Sequence, residues 1–336
     1  MCRKLLNSAL VVAAGLIFST GSVLVAQRST ARAARSSDAG SFLPASDGVM
    51  LVDVHGLLND TLPRVFAGDS AKLAQVNGEI DKFKTETGVD PRALTRLVLG
   101  TRYVYPSLKT ARLETVAIAN GTFDVKAIAA AGRARAQGRY REERYRSATI
   151  MVFSINGEMR LLGLWKIKIH DLAVSVLDSR TLAIGSLASV RAAIDTGRTG
   201  KAANNALLTL ASRDPNAVIG FGANITRELT ARLNVGSDSM ATDVNSIRQV
   251  YGAIGSTQTD VSVTITARTD TAEAAKNLSD TVTGLKQLGT IFIMQMTGPR
   301  KALAQSALDN LKISTRANEL EMRTQFAAAS LASIVK

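Results

Sequence analysis

SDGVMLVDVHGLLNDTLPR, residues 46–64, is the stretch on which the reading of this chain turns. A turn of small polar residues leads into a short apolar run, Val49 to Val54, and a polar, helix-compatible segment follows. The same plan returns at residues 214–232, DPNAVIGFGANITRELTAR. A second echo lies further along each half. VAIANGTFDVKA, starting at Val116, and VTITARTDTAEA, starting at Val263, both run from a strand through a polar turn into a capped helix. The chain therefore reads as an α+β protein of two related halves, with mainly antiparallel sheets and helices packed on one face. The expected division is a leader over residues 1–35, a linker over 36–46, a first half over 47–198 and a second over 199–336.

Working outward, Asp69 or Ser70 can cap a helix with Leu73, Val76, Ile80 and Phe83 on one stripe, and Gly88 can end it. Asp90-Pro91 opens a short helix. Strands are expected at 97–105, 114–119 and 148–155, and Asp124 caps a helix over 125–137. Asn156-Gly157 predicts a hairpin turn into a strand over 161–169, and Asp178-Ser179-Arg180 a second hairpin. A helix follows over 187–196, then a Gly/Ala/Asn-rich seam at 199–205. In the second half, Met240, Val244, Ile247 and Val250 suggest a helix over 237–254. Val261, Val263, Ile265 and Ala267 alternate with Ser262, Thr264 and Thr266, a strand with one buried and one wet face. A long helix over 269–296 carries Leu278, Val282, Leu285 and Phe292, and a further helix opens at Pro299. A hairpin around Ala317-Asn318 and an amphipathic helix over 326–335 complete the chain.

Composition bounds the function. At 336 residues and 46% hydrophobic content the chain can bury a large core, and 4% aromatic content means aliphatic residues must build it. Arg3 and Lys4 precede an uncharged, apolar run and a cluster of small residues, the pattern of an export signal. The expected address is periplasmic or extracellular; the alternative is an inner-membrane anchor formed by residues 5–27. Cys2 is the single cysteine and lies before the apolar run, so thiol chemistry and disulfides in the exported protein are not expected. The formal charge of +13 falls to +8 once the five basic residues of the leader are set aside. That balance suits weak attraction to anionic envelope components, and no nucleic-acid partner is expected.

Three passages resemble a loose group of uncharacterised exported bacterial proteins: Leu43-Pro44-Ala45-Ser46-Asp47; the run Leu177 to Gly185 with the helix around Ser189 to Asp195; and the alternating Val/Thr strand with its long helix. The resemblance implies an envelope address and an α+β fold, and it brings no catalytic residues.

Candidate sites are few. Asp53 and His55, two apart on an expected strand, would share a face, as in part of a hydrolytic site, but no G-x-S-x-G accompanies them. Two histidines leave little for zinc or copper, so no metal and no cofactor are expected. Gly220-Phe221-Gly222 begins like a dinucleotide fingerprint, but Ile225 stands where its third glycine belongs, and glycine relief in a strand end is the plainer reading. RARAQGRYREERYR, residues 133–146, concentrates Arg133, Arg135, Arg139, Arg141, Arg144 and Arg146 around Tyr140 and Tyr145. It is either a solvated helix end and strand start with local ion pairs, or an anion-binding patch for an envelope component or another envelope protein. The Ile291 to Met296 cluster is expected to be buried; the alternative is an adaptable, Met-rich binding patch. The function these features favour is a non-enzymatic exported protein that binds or scaffolds. The alternatives are a carrier of a lipid or other apolar ligand and an unrecognised hydrolase using Asp53 and His55.

Overall fold

The computed structural model describes residues 37–104, 112–136, 138–161, 165–200, 204–230 and 238–332. The expected leader, the possible membrane anchor and Cys2 lie outside them. The chain divides into two compact units at Thr209 and Leu210. Helices of eight or more residues are numbered.

The first unit holds β1 (Gly48–Asp53), α1 (Ser70–Thr87), β2 (Leu94–Val104), β3 (Arg112–Gly121), α2 (Val125–Ala136), β4 (Tyr140–Tyr145), β5 (Ala148–Leu161), β6 (Trp165–Asp178), β7 (Thr181–Gly185) and α3 (Leu187–Thr199). Its strands lie in the order β1-β2-β3-β7-β6-β5-β4, and each neighbouring pair is antiparallel. The second unit holds β8 (Ala217–Asn224), α4 (Asp238–Asn245), β9 (Ile247–Ser256), β10 (Asp260–Thr269), α5 (Ala272–Met294), α6 (Pro299–Asp309), β11 (Lys312–Arg316) and β12 (Glu319–Ala327), with strand order β8-β9-β10-β12-β11. The α+β class and the antiparallel pairing stand as the sequence implied.

The repeat has a topological form. In each unit three strands make a meander, a helix leaves the third strand, and a closing hairpin brings its second strand back beside that third strand. In the first unit β7 pairs β3, and in the second β12 pairs β10. The two sequence echoes fall on the matching strands, β1 with β8 and β3 with β10. Among the described residues the β4–β5 hairpin has no counterpart in the second unit.

Local chemistry explains the element ends. The Asp69 carboxylate accepts from the Lys72 amide at 3.0 Å to start α1, and Gly88, at φ 72°, ends it in the left-handed conformation. Asp124 accepts from the Lys126 and Ala127 amides at the start of α2. Asp90 caps the short 3-10 turn Pro91–Ala93. In the first unit Val98, Ile118, Leu182 and Val190 are fully buried, each contributing about 1.5–3 kcal/mol over leaving it exposed. In the second, Leu278 of α5 packs with Ala267 and Leu320, and Val282, Ile247 and Ile313 close around them.

Several expectations are corrected. Asn156-Gly157 does not turn the chain: β5 runs on to Leu161, and between the pairs Ser154–Asp171 and Gly157–Ile169 it carries one residue more than β6. A β-bulge absorbs that residue, because pairing along two long strands outweighs a local turn preference. The helix over 237–254 ends at Asn245, and Ile247–Ser256 is a strand held between β8 and β10. Its apolar residues fit both periods, and the two partner strands decide. Ser262 and Thr266, expected on the wet face of β10, are only 7% and 4% exposed; alternation reports polarity, and what packs on the sheet decides which face is covered. The closing helix expected over 326–335 begins later: β12 continues to Ala327 and the helix starts at Ala328, with residues 333–335 of the expectation lying outside the described ones. Helical cover also extends further than period-two patterning implies. Ile150, Met151, Val152 and Phe153 of β5 are buried in succession, and α2 and α3 both pack on that strand.

Candidate functional site

The arginine-rich stretch forms the end of α2, a turn, and β4, which pairs only β5 among the described residues. Side chains of β4 alternate between two faces. On one, Tyr140 lies 5.2 Å from the Phe153 ring, Arg133 sits 4.7 Å over Tyr140, and Arg133 and the Tyr140 hydroxyl both donate to Glu142. The Tyr140 hydrogen bond and the Arg133 charge hold the Glu142 carboxyl below its ordinary range. On the other face, Arg191 of α3 donates to Glu143, which also pairs Arg141 at 3.3 Å. The Tyr145 hydroxyl donates to Asp195 at 2.9 Å, and Arg146 donates to Asp195 at 2.5 Å. Arg191 lowers the Glu143 pKa, and Tyr145, then Arg146, lower that of Asp195. Arg146 occupies the left-handed region at φ 53° in the two-residue turn between Tyr145 and Ala148. That conformation costs about 1–2 kcal/mol in a non-glycine residue, and its bond to Asp195 and its place 5.5 Å over Tyr145 hold it there.

Four of the six candidate arginines are thus paired with carboxylates: Arg133, Arg141, Arg146, and Arg135 with Glu86 at 2.6 Å. Arg133 ties the charged edge strand to α2 and Arg146 ties its turn to α3, while Arg135 ties α2 to α1; a charged edge resists strand-to-strand aggregation. Arg139 and Arg144 remain exposed, outside these pairs. An open cleft of about 640 Å³ lies between α2 and the β4–β6 strands. Val125, Ala129, Met151 and Val176 line it with Arg133, Glu142 and Lys126. Sequence reasoning missed Lys126, two turns before Arg133 on the same face of α2; the i, i+7 spacing could have found it.

The other candidates fare differently. The Asp53–His55 pair is not assembled: β1 ends at Asp53, whose carboxylate caps the helical turn Val54–Gly56, while exposed His55 is hydrogen-bonded to Asn59 at 3.1 Å. Both Gly220 and Gly222 lie inside β8, not in a strand-to-helix turn, and a Cβ at Gly220 would collide with the Ala211 carbonyl oxygen. Among the described residues no three His, Cys, Asp or Glu side chains are grouped to hold a metal, and no helix is long and apolar enough to cross a membrane. The His170 side chain lies outside the described ones.

The Ile291 to Met296 cluster is the largest departure. Ile293 is buried, but Ile291 is 55% and Met294 67% exposed, and Leu288 before them is 52% exposed. Leu285, expected in the buried stripe, is 44% exposed. Ala275, Leu278 and Ile293 anchor the inner side of α5. The opposite side changes along the helix: Glu273, Asn277 and Asp280 face outward in its first half, and Leu288, Ile291 and Met294 in its last two turns. Helical rotation from the Leu278 stripe would have flagged Ile291, which falls opposite it.

No known family matches the chain, and no curated protein matches it. Among solved structures, crystal form IV of TP0453 is similar with a TM-score of 0.43 and 12% identity, over 91% of this chain and 99% of that one. Crystal form III gives 0.42 and 11%, over 88% and 96%. A likeness at this level carries no statement about function.

Proposed function

We propose that the protein works in the cell envelope as a non-enzymatic binding or scaffolding protein, acting through its folded surface. The observation that carries this reading is the outward row Leu288, Ile291 and Met294 at the end of α5. Large apolar side chains grouped in solvent serve no packing purpose, and such patches are characteristic of interaction surfaces. The commitment of the clustered arginines and carboxylates to one another supports the same view, since groups locked in mutual ion pairs are poorly placed for proton transfer. A photoactivatable crosslinker at Ile291, compared with one at Asn277 on the polar half of the same helix, tests it in intact envelopes. Crosslinked protein or lipid at position 291 alone is the expected result. Equal or absent labelling at the two positions would remove the proposal.

The cleft favours a second reading, a carrier of an apolar molecule with an anionic end. Its volume of about 640 Å³ suits a small ligand, its floor is apolar, and Lys126 stands at its rim. Displacement of a fluorescent fatty-acid analogue, lost on narrowing the cleft with Ala129→Phe, is the expected behaviour; no saturable binding to the unaltered protein would end this reading.

A further inference from the structure

We infer that the turn joining α5 to α6 docks on a lipid bilayer with anionic headgroups, seating Leu288, Ile291 and Met294 at the headgroup–acyl boundary. The inference rests on the surface reading above and names the partner. Charge points to it first. From residue 281 to 308 the sequence holds Lys286, Arg300 and Lys301 and no acidic residue. Arg300 and Lys301 are exposed just beyond the apolar row, and the Lys301 ammonium lies 3.4 Å from the Met294 carbonyl at the end of α5. An apolar row bordered by cations is the composition of an interfacial element.

Shape and depth agree. The three side chains fan across the outer side of a helix end, so they form a convex knob. A protein partner would have to supply a matching groove, whereas fluid lipid closes around a knob of any shape. A second copy of the chain would bring its own Arg300 and Lys301 against this one, and like charges oppose that pairing. Leu288 to Met294 span roughly 10 Å of helix at 1.5 Å per residue, so a helix end entering tip-first would seat the whole row within the shallow depth of interfacial elements. The acidic residues of α5, Glu273 and Asp280, are confined to its other half, away from the proposed surface.

The test uses the full chain with Cys2→Ser, so that a single introduced cysteine can carry an environment-sensitive NBD label. Reading the label locally separates the tip from any lipid affinity of the N-terminal apolar run. Labels at Ile291→Cys and Met294→Cys should shift to the blue and brighten on vesicles of phosphatidylcholine with phosphatidylglycerol. A label at Asn277→Cys should not change. Arg300→Gln with Lys301→Gln should weaken the response about thirtyfold, at roughly fivefold per charge removed near the surface. Leu288→Ser with Met294→Ser, read at position 291, should weaken it about tenfold or more. No shift at position 291 while the protein sediments with vesicles would overturn the inference. So would a shift that grows with protein concentration without vesicles, which would mean self-association. Crosslinking of position 291 to an envelope protein without a vesicle response would also overturn it, while leaving the surface reading in place; failure of both assays would remove both.

Discussion

The β4–β5 hairpin and the α5–α6 turn are opposites in kind. The hairpin carries the densest charge in the sequence, yet most of it is answered locally, with Arg133 on Glu142, Arg191 on Glu143, and Tyr145 and Arg146 on Asp195. The turn carries an apolar cluster of the kind that normally fills a core, yet Ile291 and Met294 stand in solvent. A charge finds a partner in any nearby opposite charge, so dense mixed charge tends to satisfy itself. An apolar side chain is satisfied only by cover, and the outer side of α5 has none. Unanswered chemistry is therefore the better guide to function than conspicuous composition.

Four measurements can break or sharpen that contrast. The largest effect should come from beneath the hairpin: Phe153→Ala, in a buried site against Tyr140, should lower stability by about 3–5 kcal/mol in denaturant unfolding. At the other region Ile293→Ala, on the covered side of α5, should cost about 2–3 kcal/mol, less because a helix end can relax around the cavity. Arg191→Ala should cost less than about 1 kcal/mol, since its pair with Glu143 is partly exposed, and amide exchange in β4 should quicken more than elsewhere. Ile291→Ser should change stability by less than about 0.5 kcal/mol; a cost near that of Ile293→Ala would show that the residue is packed after all.

Acid separates the regions as well. Glu142, Glu143 and Asp195 all have folded pKa values below their ordinary ones, through hydrogen bonds from Tyr140, Arg191 and Tyr145 respectively, reinforced by arginine charges. A carboxyl whose folded pKa is depressed contributes stability above its unfolded value and loses it as the pH falls through the folded one. β4 should thus loosen below about pH 4, seen as faster amide exchange after correction for intrinsic rates. Residues 281–308 carry no carboxylate side chain and should show no such change. Equal acid sensitivity in both would mean that the hairpin pairs do not hold the edge strand.

Much of the fold was legible. Asp69, Gly88, Asp90 and Asp124 mark helix ends that the structure places at those residues, and the two sequence echoes mark strands that correspond in the two units. These are local signals, fixed by capping hydrogen bonds and side-chain period. The misread elements depended on partners remote in the chain. Asn156-Gly157 became a bulge because β6 pairs on both sides of it, and Ile247–Ser256 became a strand because β8 and β10 flank it.

The candidate surfaces divide the same way. The residues themselves determined the repeat, the basic excess and the places where charge and apolar bulk gather, since each follows from composition and spacing. Only the tertiary structure decided which arginines are neutralised and which apolar residues are left uncovered. Those outcomes depend on what packs across from each side chain, and α3 comes to β4, as β12 comes to α5, from dozens of residues away along the chain.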